Sequence, residues 1–253
     1  MSGLEQIAIA LAGVGAGMIN AAVGSGTLIT FPTLLAFGFA PVTANVSNTV
    51  GLVPGSLAGA YGYRSELAGQ RHRLVLLALA STLGGVTGAV LLLVLPAAAF
   101  KAVVPAFIAA ALVLVVVQPR LARLLAARDT GQGGRPHGRS WLPAVLFLAG
   151  IYGGYFGAAQ GILILAALGL GLDEPLQRLN AVKNVLTGAT NLVAGAVFAV
   201  VAHVDWRVAL LLALGSAGGG LIGARIGRRL PPLALRLLIG VVGLTAIVRL
   251  LSP

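Results

Sequence analysis

Apolar and polar positions are arranged in long blocks along this chain, with apolar stretches separated by short polar turns. About 20 mostly apolar residues form a helix that crosses the hydrocarbon core of a bilayer. In chain order, the apolar stretches are 4–23, 27–39, 42–63, 74–95, 97–117, 141–159, 162–172, 179–201, 208–227 and 233–251. The pattern predicts an all-α integral membrane protein, a polytopic helical bundle.

Two of these stretches, 27–39 and 162–172, are too short to cross the bilayer as upright helices. Each follows a segment rich in glycine and small residues, 12–26 in one case and 149–163 in the other. Glycine permits a helix to unwind, and irregular backbone at membrane depth is tolerated where it is buried or lines a cavity. We therefore predict broken or re-entrant short helices at both places. Close helix packing is the alternative interpretation of the glycines.

The two glycine-rich segments belong to an internal duplication. Gly13 and Gly150 begin the matching parts and are 137 residues apart. A second pair of similar segments, 48–60 and 184–196, is offset by 136 residues, so one single-residue gap aligns both pairs. The duplication predicts two similar helical bundles.

A polar segment, 118–140, separates the two bundles. It contains several arginines and a run of glycines, which is typical of a flexible, basic cytoplasmic linker. The predicted organisation is thus an N-terminal transmembrane repeat in residues 1–117, this linker, and a C-terminal transmembrane repeat in residues 141–253.

Basic residues collect in the cytoplasmic loops of membrane proteins and so indicate how each repeat is oriented. In the first repeat the basic loop follows the third apolar stretch and contains Arg64, Arg71 and Arg73. The corresponding loop of the second repeat, 203–207, is nearly neutral, and the next loop, 225–236, is the basic one. This shift by one loop predicts two repeats of inverted topology, an architecture that recurs in secondary transporters.

Composition narrows the class further. Hydrophobic residues make up 58% of the chain and charged residues 9%, which leaves no room for a sizeable soluble domain. The net charge of +11 comes from arginines between apolar stretches, a pattern that sets membrane topology and does not indicate nucleic-acid binding. Cysteine is absent and the three histidines are scattered, so neither a metal site nor a cofactor is predicted.

Five polar residues in the eighth apolar stretch recur at helical spacing and therefore share one face of a helix. They are Asn180, Lys183, Asn184, Thr187 and Asn191. Because such a face is unfavourable in lipid, we expect it to contact protein or a water-filled cavity. Lys183 is predicted to bind an anion, with a snorkelling residue as the alternative. The first repeat supplies Asn45 and Asn48 without a cation, which predicts an asymmetric site.

The glycine-rich segments add further candidates for binding an anion. Unwound backbone exposes N–H groups, and the glycines next to the short helices are Gly24, Gly26 and Gly161. Asn20, Ser25 and Gln160 lie in the same segments. The amides of Asn20 and Gln160 can donate hydrogen bonds to an oxyanion or cap a break in a helix, and both alternatives stay open.

These residues resemble the TauE/SafE family of sulfite and organosulfonate exporters, and the resemblance covers nearly the whole chain. Its specific part is the glycine-rich segment 150–161, followed by the segment 180–184. The family often has three consecutive glycines where this chain has Gly24, Ser25 and Gly26, so Ser25 is a departure from the family pattern. The resemblance implies export of a small sulfur-containing or other organic anion.

The function that we predict is secondary transport of a small anion, sulfite or an organosulfonate or organic acid, out of the cell. The protein would lie in the plasma membrane and use alternating access around a site at the bilayer midplane, without enzymatic activity. Two alternatives stay open: an intramembrane serine protease that uses Ser25 and His203, and a passive anion channel. Besides lipid and the anion no partner is predicted, and a homodimer is left open.

Overall fold

The structure, a computed structural model, describes residues 1–127 and 139–226. All of its regular elements in these residues are helical, which confirms the predicted all-α class. The helices are α1 Gly3–Ala22, α2 Thr27–Ala36, α3 Pro41–Gly62, α4 Arg71–Val94, α5 Ala97–Ala127, α6 Leu142–Tyr155, α7 Gln160–Gly171, α8 Leu176–Val201 and α9 Trp206–Ile226, with a 3-10 turn at Arg64–Leu67. The predicted stretch 233–251 lies outside the described residues.

Helix length separates two kinds of element. Five of the described helices, α1, α4, α5, α8 and α9, are long and apolar enough to cross a membrane. Helices α2 and α7 have 10 and 12 residues, which confirms the prediction of short helices after both glycine-rich segments. A helix rises about 1.5 Å per residue, so neither can span a hydrocarbon core of about 30 Å.

The structure also corrects two predicted boundaries. The apolar stretch 141–159 is longer than the helix it forms: α6 ends after 14 residues at Tyr155, because Phe156 departs from helical dihedral angles and Gly157 has φ +75°. The predicted linker 118–140 begins inside a helix, since α5 continues to Ala127. Residues 128–138 of that linker lie outside the described part of the chain.

Each short helix folds back along the helix before it. Helices α6 and α7 form an antiparallel hairpin: Gln160 packs against Gly153 at one end, and Leu142 packs against Gly171 at the other. In the first half, α2 lies against the second part of α1 in the same way, with Gly26 packed against Ala16. We call these pairs the first hairpin (α1–α2) and the second hairpin (α6–α7).

The two halves are interlocked. Helix α1 packs mainly on α9 of the other half, and α6 packs mainly on α4. Close contacts between glycines and backbone mark both interfaces: Gly17 meets Ser216 of α9, and Gly88 meets Ile151 of α6. Small residues at these positions let the helix axes approach closely, as is typical of helix packing in membranes.

Contact positions also give the helix directions. Gly13 of α1 meets Leu212, and Gly17 of α1 meets Ser216, which lies further along α9, so α1 and α9 run parallel. Helix α3 is parallel to α9 as well, and α4 is parallel to α6. Helices α3 and α8 run antiparallel, because Gly195 packs against Val50 whereas Gly188 packs against Ser56. The helices that correspond in the sequence duplication, α3 and α8, thus point in opposite directions.

A charged cluster joins the two halves at one end of the bundle. Glu174, in the turn between α7 and α8, forms ion pairs with Arg73 at 2.7 Å and with Arg178 at 2.9 Å. Arg178 also donates a hydrogen bond to the Ala68 carbonyl at 3.0 Å. We call this side of the bundle the basic end. It is the side on which α6 begins and α7 ends, so the second hairpin enters the bundle from there.

Candidate functional site

The tips of the two hairpins touch each other in the interior of the protein. The Gly161 N–H donates a hydrogen bond to the Gly24 carbonyl at 3.0 Å. A Cβ atom on either glycine would lie 2.5 Å from the Cα atom of the other, which no side chain tolerates. Gly24 also has φ +91°, a conformation that glycine adopts without strain. We call this contact the tip junction.

The junction joins corresponding positions of the duplication. Gly24 and Gly161 are 137 residues apart, the same offset that relates Gly13 to Gly150. At the tip junction, backbone atoms at equivalent positions of the two halves are therefore in direct contact.

A second group of polar residues, the α8 cluster, holds the end of α1. The Lys183 Nζ atom is fully buried and donates hydrogen bonds to the carbonyls of Asn20 at 3.3 Å and Ala21 at 3.0 Å. Asn184 Nδ2 donates to the Ala21 carbonyl at 3.2 Å. The last carbonyls of a helix lack partners within the helix and carry partial negative charge, so an ammonium group next to them is favourable.

The α8 cluster continues through a serine. Ser56 Oγ accepts a hydrogen bond from Asn20 Nδ2 at 3.0 Å and another from Asn191 Nδ2 at 3.1 Å. Its own hydroxyl donates to the Leu52 carbonyl at 3.1 Å. Helices α1, α3 and α8 are thereby connected by polar contacts a short distance from Lys183.

A third group, the α3 cluster, holds the second hairpin and the start of α2. Asn45 Nδ2 donates to the Tyr155 carbonyl, at the end of α6, at 2.9 Å. Asn48 accepts a hydrogen bond from the Thr30 hydroxyl, and its Nδ2 atom lies 3.4 Å from Thr27 Oγ1. Thus α3 of the first half binds the broken helix of the second half, and α8 of the second half binds that of the first.

Several buried polar atoms near these groups have no hydrogen-bond partner among the described residues. They are Ser25 Oγ, Asn45 Oδ1, Gln160 Oε1, Asn180 Oδ1 and Thr187 Oγ1. Each belongs to a side chain that is at least nine-tenths buried. Because an unpaired buried polar group costs about 1 to 3 kcal/mol, ordered water or a ligand is expected to supply the missing bonds.

Aromatic rings pack around the end of α6. Phe156, the residue at which α6 ends, contacts Phe31 with ring centroids 5.1 Å apart and Phe100 at 6.0 Å. Phe107 stacks on Phe156 with centroids 6.1 Å apart. These rings form an apolar cluster next to Tyr155, whose carbonyl accepts the hydrogen bond from Asn45.

The structure brings most of the predicted site residues into these three groups. Gly24 and Gly161 meet directly, with Ser25 and Gln160 as their chain neighbours. The α8 cluster contains Lys183, Asn184, Asn20 and Asn191, and the α3 cluster contains Asn45 and Asn48. Asn180 and Thr187 lie on α8 and have unpaired oxygens, and Gly26 packs against the Ala16 carbonyl, where a Cβ atom would come within 2.5 Å.

Sequence reasoning missed Ser56, Thr27 and Thr30. A signal for Ser56 was present: it follows Asn45 by eleven residues, the spacing that relates Asn191 to Asn180. The protease alternative gains no support from residues 1–127 and 139–226, since no base among them forms a hydrogen bond with Ser25 Oγ.

Comparison with known proteins identifies relatives along nearly the whole chain. The family model described as "Sulfite exporter TauE/SafE" matches residues 9–250. The chain is 25% identical to "Probable membrane transporter protein ORF9" of Sinorhizobium sp, over 94% of this chain and 88% of the relative. It is 27% identical to a "Probable membrane transporter protein" of Haemophilus influenzae, over 88% and 86% of the two chains.

A third relative is "Probable membrane transporter protein YfcA" of Escherichia coli K12, which is 25% identical over 85% of this chain and 76% of the relative. No solved structure matches the chain.

Proposed function

The chain belongs to the TauE/SafE sulfite exporter family, a family of membrane transporters, and on that premise we propose that it exports a small anion. The proposed substrate is sulfite, an organosulfonate or a related organic acid, and the proposed location is the plasma membrane. Binding would take place at the tip junction and the α8 cluster, with Lys183 as the positive charge that attracts the anion.

Burial of Lys183 is the observation that carries this proposal. Among the described residues it is the one fully buried charged side chain, with no exposed surface. Insertion of a lysine at the centre of a membrane helix costs about 2.5 to 3.5 kcal/mol, so such residues are retained where they have a function. Two backbone carbonyls occupy two of the three N–H donors of an ammonium group, which leaves one for a ligand.

The remaining parts of the site suit an oxyanion as well. The hydroxyl groups of Ser25 and Thr187 are buried and unpaired, so they are free to donate. Helices α2 and α7 begin at the tip junction, and the backbone N–H groups at a helix N-terminus point to the space in front of it, where an anion oxygen can accept hydrogen bonds. In this conformation the Gly161 N–H donates to the Gly24 carbonyl. When the tips move apart, an oxygen atom of the anion would take the place of that carbonyl oxygen.

Alternating access is proposed from the arrangement of the halves. The opposite directions of α3 and α8, and the contact between corresponding glycines, support two inverted repeats whose axis passes close to the tip junction. In transporters built of inverted repeats, exchange of the conformations of the two halves exposes a central site to one side and then to the other. The basic end would be cytoplasmic, as its arginines favour.

The proposal is tested by replacing each of the two lysines with methionine and measuring anion flux into proteoliposomes. Lys183→Met should lower flux about 10-fold to 150-fold, because a charge-assisted hydrogen bond to the substrate contributes about 1.5 to 3 kcal/mol. Lys101→Met, at an exposed position of α5, is the matched control and should transport like the parent.

Thermal unfolding in detergent shows whether both variants remain folded. If folded Lys183→Met transports and binds anions as the parent does, the ammonium group is only a cap for α1 and the proposed site is wrong. Exchange of internal for external anion separates a carrier from the channel alternative, since a carrier is accelerated by anion on the opposite side.

A further inference from the structure

Among the residues that the structure describes, the buried charges can be counted, and Lys183 is the only one. Lys183 corresponds to Ser47 in the duplication, since both precede the aligned asparagines Asn184 and Asn48. Ser47 is neutral and accepts a hydrogen bond from the Asp205 N–H at 2.9 Å. The second half therefore contributes one positive charge, and the first half contributes none at the equivalent place.

Helix ends at the junction do not change this total. Helices α1 and α6 end there and α2 and α7 begin there, so two negative ends lie opposite two positive ends. Each end is equivalent to about half an elementary charge, and the four contributions cancel. Within residues 1–127 and 139–226, the net charge next to the junction is then that of the single ammonium group.

Unpaired amide oxygens independently indicate how much negative charge the site can accept. Gln160 Nε2 donates to the Ala149 carbonyl at 3.3 Å, and Asn45 Nδ2 donates to the Tyr155 carbonyl. A carbonyl only accepts, so the nitrogen of each amide must face it and the free atom must be the oxygen. Gln160 Oε1 and Asn45 Oδ1 are both buried without a partner. Such oxygens repel additional negative charge, but they accept a hydrogen bond from a protonated oxyanion.

From these observations we infer that the site selects singly charged oxyanions, such as a monosulfonate or a protonated sulfur oxyanion, over doubly charged ones. This inference rests on the proposed transport function and specifies its substrate class. A singly charged anion next to Lys183 leaves the buried site neutral. A dianion leaves one uncompensated negative charge away from water, which is strongly unfavourable in a low-dielectric interior.

The test compares anions that share a sulfur oxyanion group and differ in charge. Methanesulfonate and methyl sulfate carry one negative charge at neutral pH, and sulfate carries two. Each is titrated against the purified full chain at constant ionic strength, and its affinity is obtained from the rise in unfolding temperature. We expect the two singly charged anions to bind about 100-fold more tightly than sulfate, the penalty for one unpaired charge in a membrane interior. Lys183→Met should lose this preference.

The outcomes separate the inference from the function on which it rests. Equal or tighter binding of sulfate would overturn the charge selectivity and leave anion transport standing. A preference that persists in Lys183→Met would also overturn it, because the ammonium group would not be its source. If none of the three anions binds, and none exchanges in proteoliposomes, anion transport itself is wrong.

Discussion

The two hairpins have the same backbone design and differ in how their ends are held. Each has a break next to a positive-φ glycine, and the two tips meet through Gly24 and Gly161. The end of α6 is held by the neutral amide of Asn45, whereas the end of α1 is held by Lys183 together with Asn184. A neutral amide is thus sufficient to hold a broken helix, and the charge of Lys183 exceeds what capping requires.

The largest effect on folding is expected where the hairpins are alike. A methyl group on Gly161 would lie 2.5 Å from the Gly24 Cα atom, so Gly161→Ala must separate the tips. Overpacking of this kind costs about 1 to 3 kcal/mol, and loss of the hydrogen bond between the tips adds about 0.5 to 1.5 kcal/mol. We expect both a lower unfolding temperature and loss of transport. Gly218→Ala is the control, since nothing lies within 4 Å of the added atom. Equal unfolding temperatures for the two variants would contradict the tip contact.

A smaller effect is expected where the hairpins differ. Asn45→Leu leaves the Tyr155 carbonyl without its side-chain donor and should cost about 1 to 3 kcal/mol of stability. Asn184→Leu should cost less, because the Ala21 carbonyl keeps Lys183 as a donor. Unfolding temperatures in detergent rank the two variants.

Measurements of transport test the same difference between the two hairpins. Asn45→Leu should reduce flux per folded molecule less than Lys183→Met does, since it removes a cap and no charge. The reverse order would assign the anion to the α3 cluster.

The smallest effect concerns the turns that follow the short helices. The turn after α7 carries Glu174, which pairs with Arg73 and Arg178, while the turn after α2 is apolar apart from its backbone. Partly exposed ion pairs contribute about 0.2 to 1 kcal/mol each and are screened by salt. Glu174→Gln should therefore lower stability slightly at low salt and less at high salt. Asp173→Asn, at the exposed neighbouring position, should change neither; a salt-independent loss in Glu174→Gln would show that packing, not charge, is involved.

What could be predicted from the sequence depended on local signals. The short helices α2 and α7 follow from the length of their apolar stretches, and the glycines mark the breaks. Lys183 could be identified because a cation within an apolar stretch is conspicuous. Its partners could not, since backbone carbonyls carry no sequence signal. The exact residue at which α6 ends, Tyr155, could not be predicted either, because the apolar residues continue beyond the break.

Which helices pack against each other could not be predicted from the sequence, for a related reason. Apolar faces of membrane helices resemble one another, so no pattern distinguishes α9 from other partners for α1. Only the glycines give a weak indication of the partner. In the structure, the glycines of α1 and α9 lie where the backbones of these two helices approach closely.

The pairing of α1 with α9 has a consequence for biosynthesis. Ala22 ends α1 and Trp206 begins α9, so α1 enters the membrane long before its main packing partner has been synthesised. Its small-residue face, which includes Gly13 and Gly17, must remain in lipid or against temporary neighbours until then. Contacts between distant parts of a chain form late and slowly, so the first hairpin should be the last part of this protein to reach its final place.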